Sequence, residues 1–317
     1  MLPRPPAKFA AGFSLIELSI LLLIIGLLST TALQTYRQYI IDKTNNTTSA
    51  SLTQAKQSLS NFVFQHGRLP CPADPSLAPD DVHAGIEFCP TGTAIGCSGF
   101  GGGNKVCRIN GARPTSDSIS PFTPDPVLTG ALPYLTLGIT ETDAMDGWNN
   151  KLSYNVTEYM TRAGSGAPGS MSYNDQYGAI NIQVYDPVNK AIISGLNPAI
   201  TGTALPNSYL LAVVSHGSDG RGAYNYYGKM TRACAATGTT RDAENCNGDA
   251  TFLDRGTGNG SVYSLAPGAN YYDDAFVISS LPKDNDKWSM GASGTSFIYT
   301  KAWRPGWHRH RRPQCSP

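Results

Sequence analysis

The stretch Gly12-Phe13-Ser14-Leu15-Ile16-Glu17 leads directly into an apolar run from Leu18 to Leu33. Counted from Phe13 to Leu33, this predominantly apolar segment has the length, about 20 residues, that an α-helix needs to cross the hydrocarbon core of a bilayer. One carboxylate, that of Glu17, lies at its start. An unpaired ionisable side chain in such a segment is costly, so its presence indicates a function. The stretch therefore predicts a transmembrane helix that carries a functional glutamate.

These residues resemble the class III signal of type IV pilins and type II secretion pseudopilins. Gly26, Tyr36 and Tyr39 also match residues common in that family's helix. In the family a prepilin peptidase cleaves after the glycine and N-methylates the new terminal residue, which implies cleavage after Gly12 and methylation of Phe13. The resemblance further implies that Glu17 pairs with the α-ammonium of Phe13 in a neighbouring subunit. Such a pair favours one register between subunits, because removing one partner leaves a buried charge uncompensated.

Two other interpretations of the N-terminus explain less. An ordinary secretory signal peptide also has a basic start and an apolar centre, but this apolar run is too long and no A-x-A site follows it. A plain single-span anchor leaves Glu17 without a purpose. Arg4 and Lys8 are expected on the cytoplasmic side. The rest of the chain is then expected in the periplasm of a bacterium, anchored by a single pass through the inner membrane.

The composition indicates an exported, loop-rich protein. The 317 residues include 33 glycines and 22 prolines, and charged residues make up 15%. These values favour a β-containing head over a helical bundle. The net charge is only +1, so no global field favours nucleic acid as a partner.

A helix is predicted from Phe13 to about His66, roughly 80 Å long at 1.5 Å per residue. After residue 41 its apolar positions form a stripe with helical spacing, Leu52, Ala55, Leu59, Phe62 and Val63. Gly67 and Pro70 are typical residues at which a helix ends. The stripe predicts that the second half of the helix packs on the head.

Four segments are predicted as strands, residues 152–156, 179–185, 209–214 and 275–278. An antiparallel sheet packed on the helical stripe is the natural arrangement. The fold class is therefore α+β: a pilin-like ladle with a long N-terminal helix, transmembrane in its first half, an antiparallel β-sheet head and a disulfide-rich insertion. The predicted divisions are the leader 1–12, the helix 13–66, the insertion 67–130, the head 131–300 and a basic tail 301–317.

Seven cysteines are spread unevenly along the chain. Four lie in one window rich in glycine and proline, Cys71, Cys89, Cys97 and Cys107, and Cys234 and Cys246 flank a polar loop. Outside the inner membrane disulfides are expected, and the spacings are not the paired C-x-x-C of zinc sites. We expect two bridges among the first four cysteines, with three connectivities open, and a third bridge between Cys234 and Cys246. Cys315 is left over.

A calcium site is implied by a second resemblance, to the major pseudopilin of type II secretion. The turn at residues 146–150 and the loop at residues 214–222 are similar to that family's D-x-W-G-N and S-x-G-x-D-G segments. The family's loop binds Ca²⁺, a cation that prefers oxygen ligands. The residues implied here are Ser215, Asp219, Asp273 and Asp274. An ordinary Asp-Gly turn with solvated acids is the alternative, and it stays open.

No enzymatic activity is expected. The chain has no G-x-S-x-G elbow, H-E-x-x-H motif or phosphate-binding loop. Ser215 and His216 are adjacent, so on a strand their side chains point to opposite faces. The basic, tryptophan-containing segment at residues 303–312 is either a solvated tail or a contact for DNA or lipopolysaccharide.

The family resemblance implies a structural subunit of a type II secretion pseudopilus. The alternative is a major or minor type IV pilin for adhesion, motility or DNA uptake. The implied partners are other pilin or pseudopilin subunits, the prepilin peptidase and an inner-membrane assembly platform. A third possibility is a binding module, with the insertion and the basic tail acting as an adhesin or DNA receptor on a pilin stalk.

Overall fold

A computed structural model of the chain describes residues 15–91, 94–98, 105–112, 126–162, 178–186, 191–194, 208–234, 241–254, 275–280, 287–292 and 295–300. The chain divides into two compact units, Met1–Asn45 and Asn46–Pro317. The predicted leader and basic tail lie outside the described residues.

The first element, helix α1, spans Leu15–His66 and runs through both units. It ends where the sequence predicts, at Gly67. The backbone of Gly67 has a φ of 67°, and its N–H donates to the carbonyl of Val63 at 2.8 Å. A left-handed residue that closes the last turn is a common helix C-terminus, and glycine adopts it without a steric penalty.

The second unit contains an eight-stranded antiparallel sheet with the strand order β1-β2-β3-β4-β8-β10-β11-β12. Its strands are β1 (Gly96–Ser98), β2 (Val106–Asn110), β3 (Pro126–Ala131), β4 (Ser153–Thr157), β8 (Leu211–Ser215), β10 (Ala275–Ser280), β11 (Lys287–Ala292) and β12 (Thr295–Thr300). Short helical segments, α2 at Tyr134–Leu137 and 3₁₀ helices at Glu141–Ala144 and Glu158–Thr161, flank β3 and β4.

A smaller four-stranded sheet is built around β5 (Ile180–Asp186). It contains β6 (Ala191–Ser194), β7 (Ser208–Tyr209) and β9 (Thr251–Asp254). β6 and β7 pair with β5 antiparallel, whereas β9 pairs with it parallel. A further 3₁₀ helix, Arg241–Cys246, precedes β9.

The larger sheet has an apolar cluster on each face, because successive side chains of a strand point to opposite sides. One cluster joins the predicted helical stripe to the sheet and contains Leu52, Ala55, Leu59, Val63, Leu128, Tyr154, Val156, Leu211 and Val213. The other joins the opposite face to the smaller sheet and contains Val127, Ala212, Val214, Ile180, Ile182 and Phe252. The central strands β3, β4 and β8 are thus covered by α1 on one side and by the smaller sheet on the other.

The window expected to be a separate disulfide-rich insertion contributes to the main sheet. β1 and β2 lie within residues 67–130, and β3 crosses the end of that window. β3 pairs with β4 over five residues, so the window continues the sheet of the head. These strands are short and contain Cys, Gly and Pro, which hides the period-two alternation that identifies a strand.

Candidate functional site

The first part of α1 is an apolar surface that the described protein does not cover. Its described side chains from Leu15 to Lys43 are all exposed. Within the described residues, α1 is the one helix long and apolar enough to cross a membrane, judged by length and composition. Apolar exposure on this scale indicates a surface for lipid or another chain. This agrees with the predicted membrane-spanning segment.

Glu17 lies in the first turn of α1 and is exposed. An acidic side chain there is favourable, because the unpaired N–H groups give a helix N-terminus a partial positive charge. Gly12 and Phe13, the predicted cleavage and methylation residues, lie outside the described residues. The assembly role of Glu17 therefore stays a prediction.

The two segments that suggested calcium meet around a single buried carboxylate, that of Asp146. Its Oδ1 accepts hydrogen bonds from the backbone N–H groups of Trp148 at 2.9 Å and Asn150 at 2.8 Å. Its Oδ2 accepts a hydrogen bond from the hydroxyl of Ser215 at 2.9 Å. We call residues 146–150 and 215–220 the two-loop cluster.

Asn150 makes the second link in the two-loop cluster. Its side-chain amide donates to the carbonyl of Gly217 at 3.3 Å, and its Oδ1 accepts from the hydroxyl of Thr231 at 3.0 Å. The backbone N–H of Gly147 donates to the hydroxyl of Thr48 on α1 at 3.0 Å. The cluster is therefore tied both to the helix and to the loop that follows residue 220.

Burial raises the pKa of Asp146 above its ordinary value, because the charged form loses hydration. Hydrogen bonds from Asn150, Ser215 and Trp148 favour the charged form and oppose this effect. The same hydrogen bonds hold the two loops together. The sequence motif predicts this turn, but it does not show that Asp146 is the centre of the cluster.

The predicted calcium ligands have other partners where they are described. Ser215 is fully buried and donates to Asp146. The carboxylate of Asp219 pairs with Arg232 at 2.8 Å and with Arg221 at 3.6 Å. These cations offset the negative charge that would attract Ca²⁺. Asp273 and Asp274 lie outside the described residues, so the calcium site stays a prediction.

Three disulfides are present among the described cysteines. Cys71 is bonded to Cys89, Cys97 to Cys107 and Cys234 to Cys246. The third is the pair expected from the sequence, and the first two select one of the three connectivities left open.

One group of three possible metal ligands occurs within the described part of the chain, Cys71, Glu87 and Cys89. Its two sulfurs are bonded to each other, so they are not the thiolates that bind a metal. The carboxylate of Glu87 is paired with Arg68 at 2.6 Å. This group therefore consists of a disulfide and an ion pair, and it offers no free metal ligand.

Ser153 and His216 form a contact that no motif in the sequence predicts, with 2.8 Å between Oγ and Nε2. Nucleophilic catalysis uses such a contact, but it also needs a group that orients the histidine and donors for the developing oxyanion. The adjacent residues Ser215 and His216 have different partners. Ser215 donates to Asp146, and His216 contacts Ser153. The expected lack of enzymatic activity stays a prediction.

No protein-family model, curated protein or solved structure matches this chain.

Proposed function

We propose that the protein is a structural subunit of a type II secretion pseudopilus, anchored in the bacterial inner membrane with its sheet unit in the periplasm. One observation carries this proposal: the described side chains of the apolar run from Leu18 to Leu33 are all exposed, and Glu17 lies just before this run, in the first turn of α1. A membrane-length helix with a single carboxylate at its start suits a subunit that moves from lipid into a protein assembly.

The physical role of the helix follows from its surface. In the bilayer its leucines and isoleucines face lipid, and in a filament they pack against the same helices of other subunits. Glu17 is then compensated by the α-ammonium of Phe13 of a neighbour, which fixes the axial register. The partners proposed are other pilin-like subunits, the prepilin peptidase and an inner-membrane assembly platform.

The second unit supports an exported head. Three disulfides suit an oxidising compartment. The two-loop cluster joins the segments whose sequence resembles the major pseudopilin, and this favours the secretion subtype. The unit runs from Asn46 to Pro317, which is large for a major subunit and favours a specialised one. A minor type IV pilin is the alternative that this size also suits.

The test is the N-terminus of the protein isolated from cells with and without prepilin peptidase. We expect N-terminal sequencing and intact mass to give a terminus at Phe13 carrying one added methyl group, only when the peptidase is present. Gly12→Val is expected to block cleavage. Gly26→Val is the matched control, since the structure leaves open space at Gly26 for a side chain. An uncut terminus at Met1 in cells that contain the peptidase would overturn the proposal.

A further inference from the structure

We propose that the second unit has a binding site for a small organic acid, in a cavity between the larger sheet and the loops that follow β8. The cavity has a volume of about 350 Å³. This is within the range of small-molecule sites, roughly 300–1,000 Å³. Its floor comes from β2, β3 and β4, and its walls come from residues 222–252.

The floor of the cavity contains two buried polar atoms that lack hydrogen-bond partners within the described part of the protein. They are the hydroxyl of Thr129 and the Oδ1 of Asn155. These residues are register neighbours on β3 and β4, and both line the cavity. The amide of Asn155 is held by a weak hydrogen bond to the carbonyl of Ala212 at 3.4 Å. Since buried polar groups are costly when unpaired, the floor fits a ligand that donates a hydrogen bond.

The walls of the cavity are largely apolar. They include the side chains of Tyr224, Met230 and Phe252, and Ile109 of β2 adds an apolar side chain to the floor. Three cysteines also line it: Cys97 and Cys107, which are bonded to each other, and Cys246, which is bonded to Cys234. The middle of the ligand is therefore expected to be apolar.

One cation of the lining is available to an anion. The ammonium of Lys105 lies 5.9 Å from the ring centroid of Tyr224, and no carboxylate among the described residues pairs with it. The ammonium of Lys151 already donates to the carbonyls of Pro75 and Leu77.

Several other charged and polar side chains of the lining make hydrogen bonds within the protein. The carboxylate of Asp249 accepts hydrogen bonds from Asn247 and from the backbone of Thr251. Ser153 and His216 contact each other.

These features define the class of ligand: an amphipathic organic acid with a hydroxyl or amino group remote from its carboxylate. The carboxylate pairs with Lys105, the apolar body contacts the aromatic walls, and the remote donor reaches Asn155 and Thr129. The site does not depend on processing or on filament assembly, so it can fail while the proposed function stands.

The test is ligand-observed NMR of the full chain in lipid nanodiscs. The probes are hydroxy- and amino-substituted aromatic and aliphatic acids, each beside its uncharged amide. We expect acids to bind and to exceed their amides by about tenfold or more, since an ion pair is lost in the amide. Lys105→Gln should remove this preference. Lys229→Gln is the matched control, because Lys229 is exposed and does not line the cavity.

A second readout separates a binding role of the floor from a structural one. Thr129→Val should abolish binding without lowering the melting temperature, because it removes a buried hydroxyl that lacks a described partner. Thr157→Val is the comparison, since that hydroxyl accepts from the N–H of Ala179 at 2.9 Å, and its loss should lower the melting temperature. Absence of binding by every acid, or an equal loss of stability in both variants, would overturn the proposal.

Discussion

At the scale of single residues, the carboxylate of Asp146 is the centre of the two-loop cluster. Asp146→Ala leaves two backbone N–H groups and the hydroxyl of Ser215 without their acceptor. Each buried donor that is left without an acceptor costs about 1–3 kcal/mol, so we expect a loss of about 3 kcal/mol in the free energy of unfolding. Denaturant titration of the full chain in detergent measures it. Asp80→Ala, at an exposed carboxylate, is the control and should change little.

The raised pKa of Asp146 predicts how stability depends on pH. Between the ordinary aspartate pKa and the higher folded value, the folded protein holds a proton that the unfolded chain has released. The contribution of Asp146 is therefore fully present below the ordinary pKa and is lost as pH rises through the folded value. Asp146→Asn keeps an acceptor for the backbone but cannot titrate. The stability of the wild type should fall relative to Asp146→Asn as pH rises through this window, and a difference that is constant with pH contradicts the assignment.

Glu158 illustrates a buried charge that must stay paired. Its carboxylate receives two hydrogen bonds from the guanidinium of Arg108, at 2.6 and 2.8 Å, and Arg108 is only 2% exposed. Glu158→Ala isolates that buried cation and should cost about 3–5 kcal/mol in unfolding free energy. Arg162, about half exposed, contacts the same carboxylate at 3.1 Å. Arg162→Ala should cost no more than about 1 kcal/mol, and similar losses for the two variants would contradict this account.

At the scale of elements, helix α1 offers the same substitution in two environments. Leu59 is fully buried against the larger sheet, whereas Leu22 is 60% exposed. Leu59→Ala should lower the unfolding free energy by about 2–5 kcal/mol, because it removes packed atoms and leaves a cavity. Leu22→Ala should leave the unfolding of the second unit unchanged. The measurement is thermal unfolding followed by near-ultraviolet circular dichroism. Equal effects of the two substitutions would contradict the prediction that only the second half of the helix packs on the sheet.

Local sequence patterns predict some of the strands and not others. β4, β5, β8 and β10 lie where alternation or apolar runs predict strands. β1 has only three residues, and β6, β7 and β9 have no more than four. Such strands are specified by their neighbours in the sheet, which a local pattern does not contain. The layering of the smaller sheet on the larger one was unpredictable for the same reason.

At the scale of the whole molecule, the sites combine residues that are far apart in the chain. Sequence motifs identified the turn with Asp146 and the loop with Ser215, but these residues are 69 positions apart and their hydrogen bond depends on the strand order β4-β8. The cavity likewise joins Lys105, Thr129 and Asn155 to Phe252. Motifs therefore locate candidate residues, and only the topology shows which of them meet.

The proposed assembly also belongs to the whole molecule, because it couples the membrane helix to other subunits. Glu17→Ala removes the carboxylate that we propose pairs with the α-ammonium of Phe13 in a neighbour. Insertion depends on the apolar run, so the variant should remain in the membrane, while its recovery in sheared filament fractions should fall at least about tenfold, the equivalent of 1.4 kcal/mol. Asp42→Ala is the matched control, a second exposed carboxylate on the same helix, outside the apolar run. Normal incorporation of Glu17→Ala into filaments would contradict the pairing, because the helix N-terminus would then be the whole account of a carboxylate at this position.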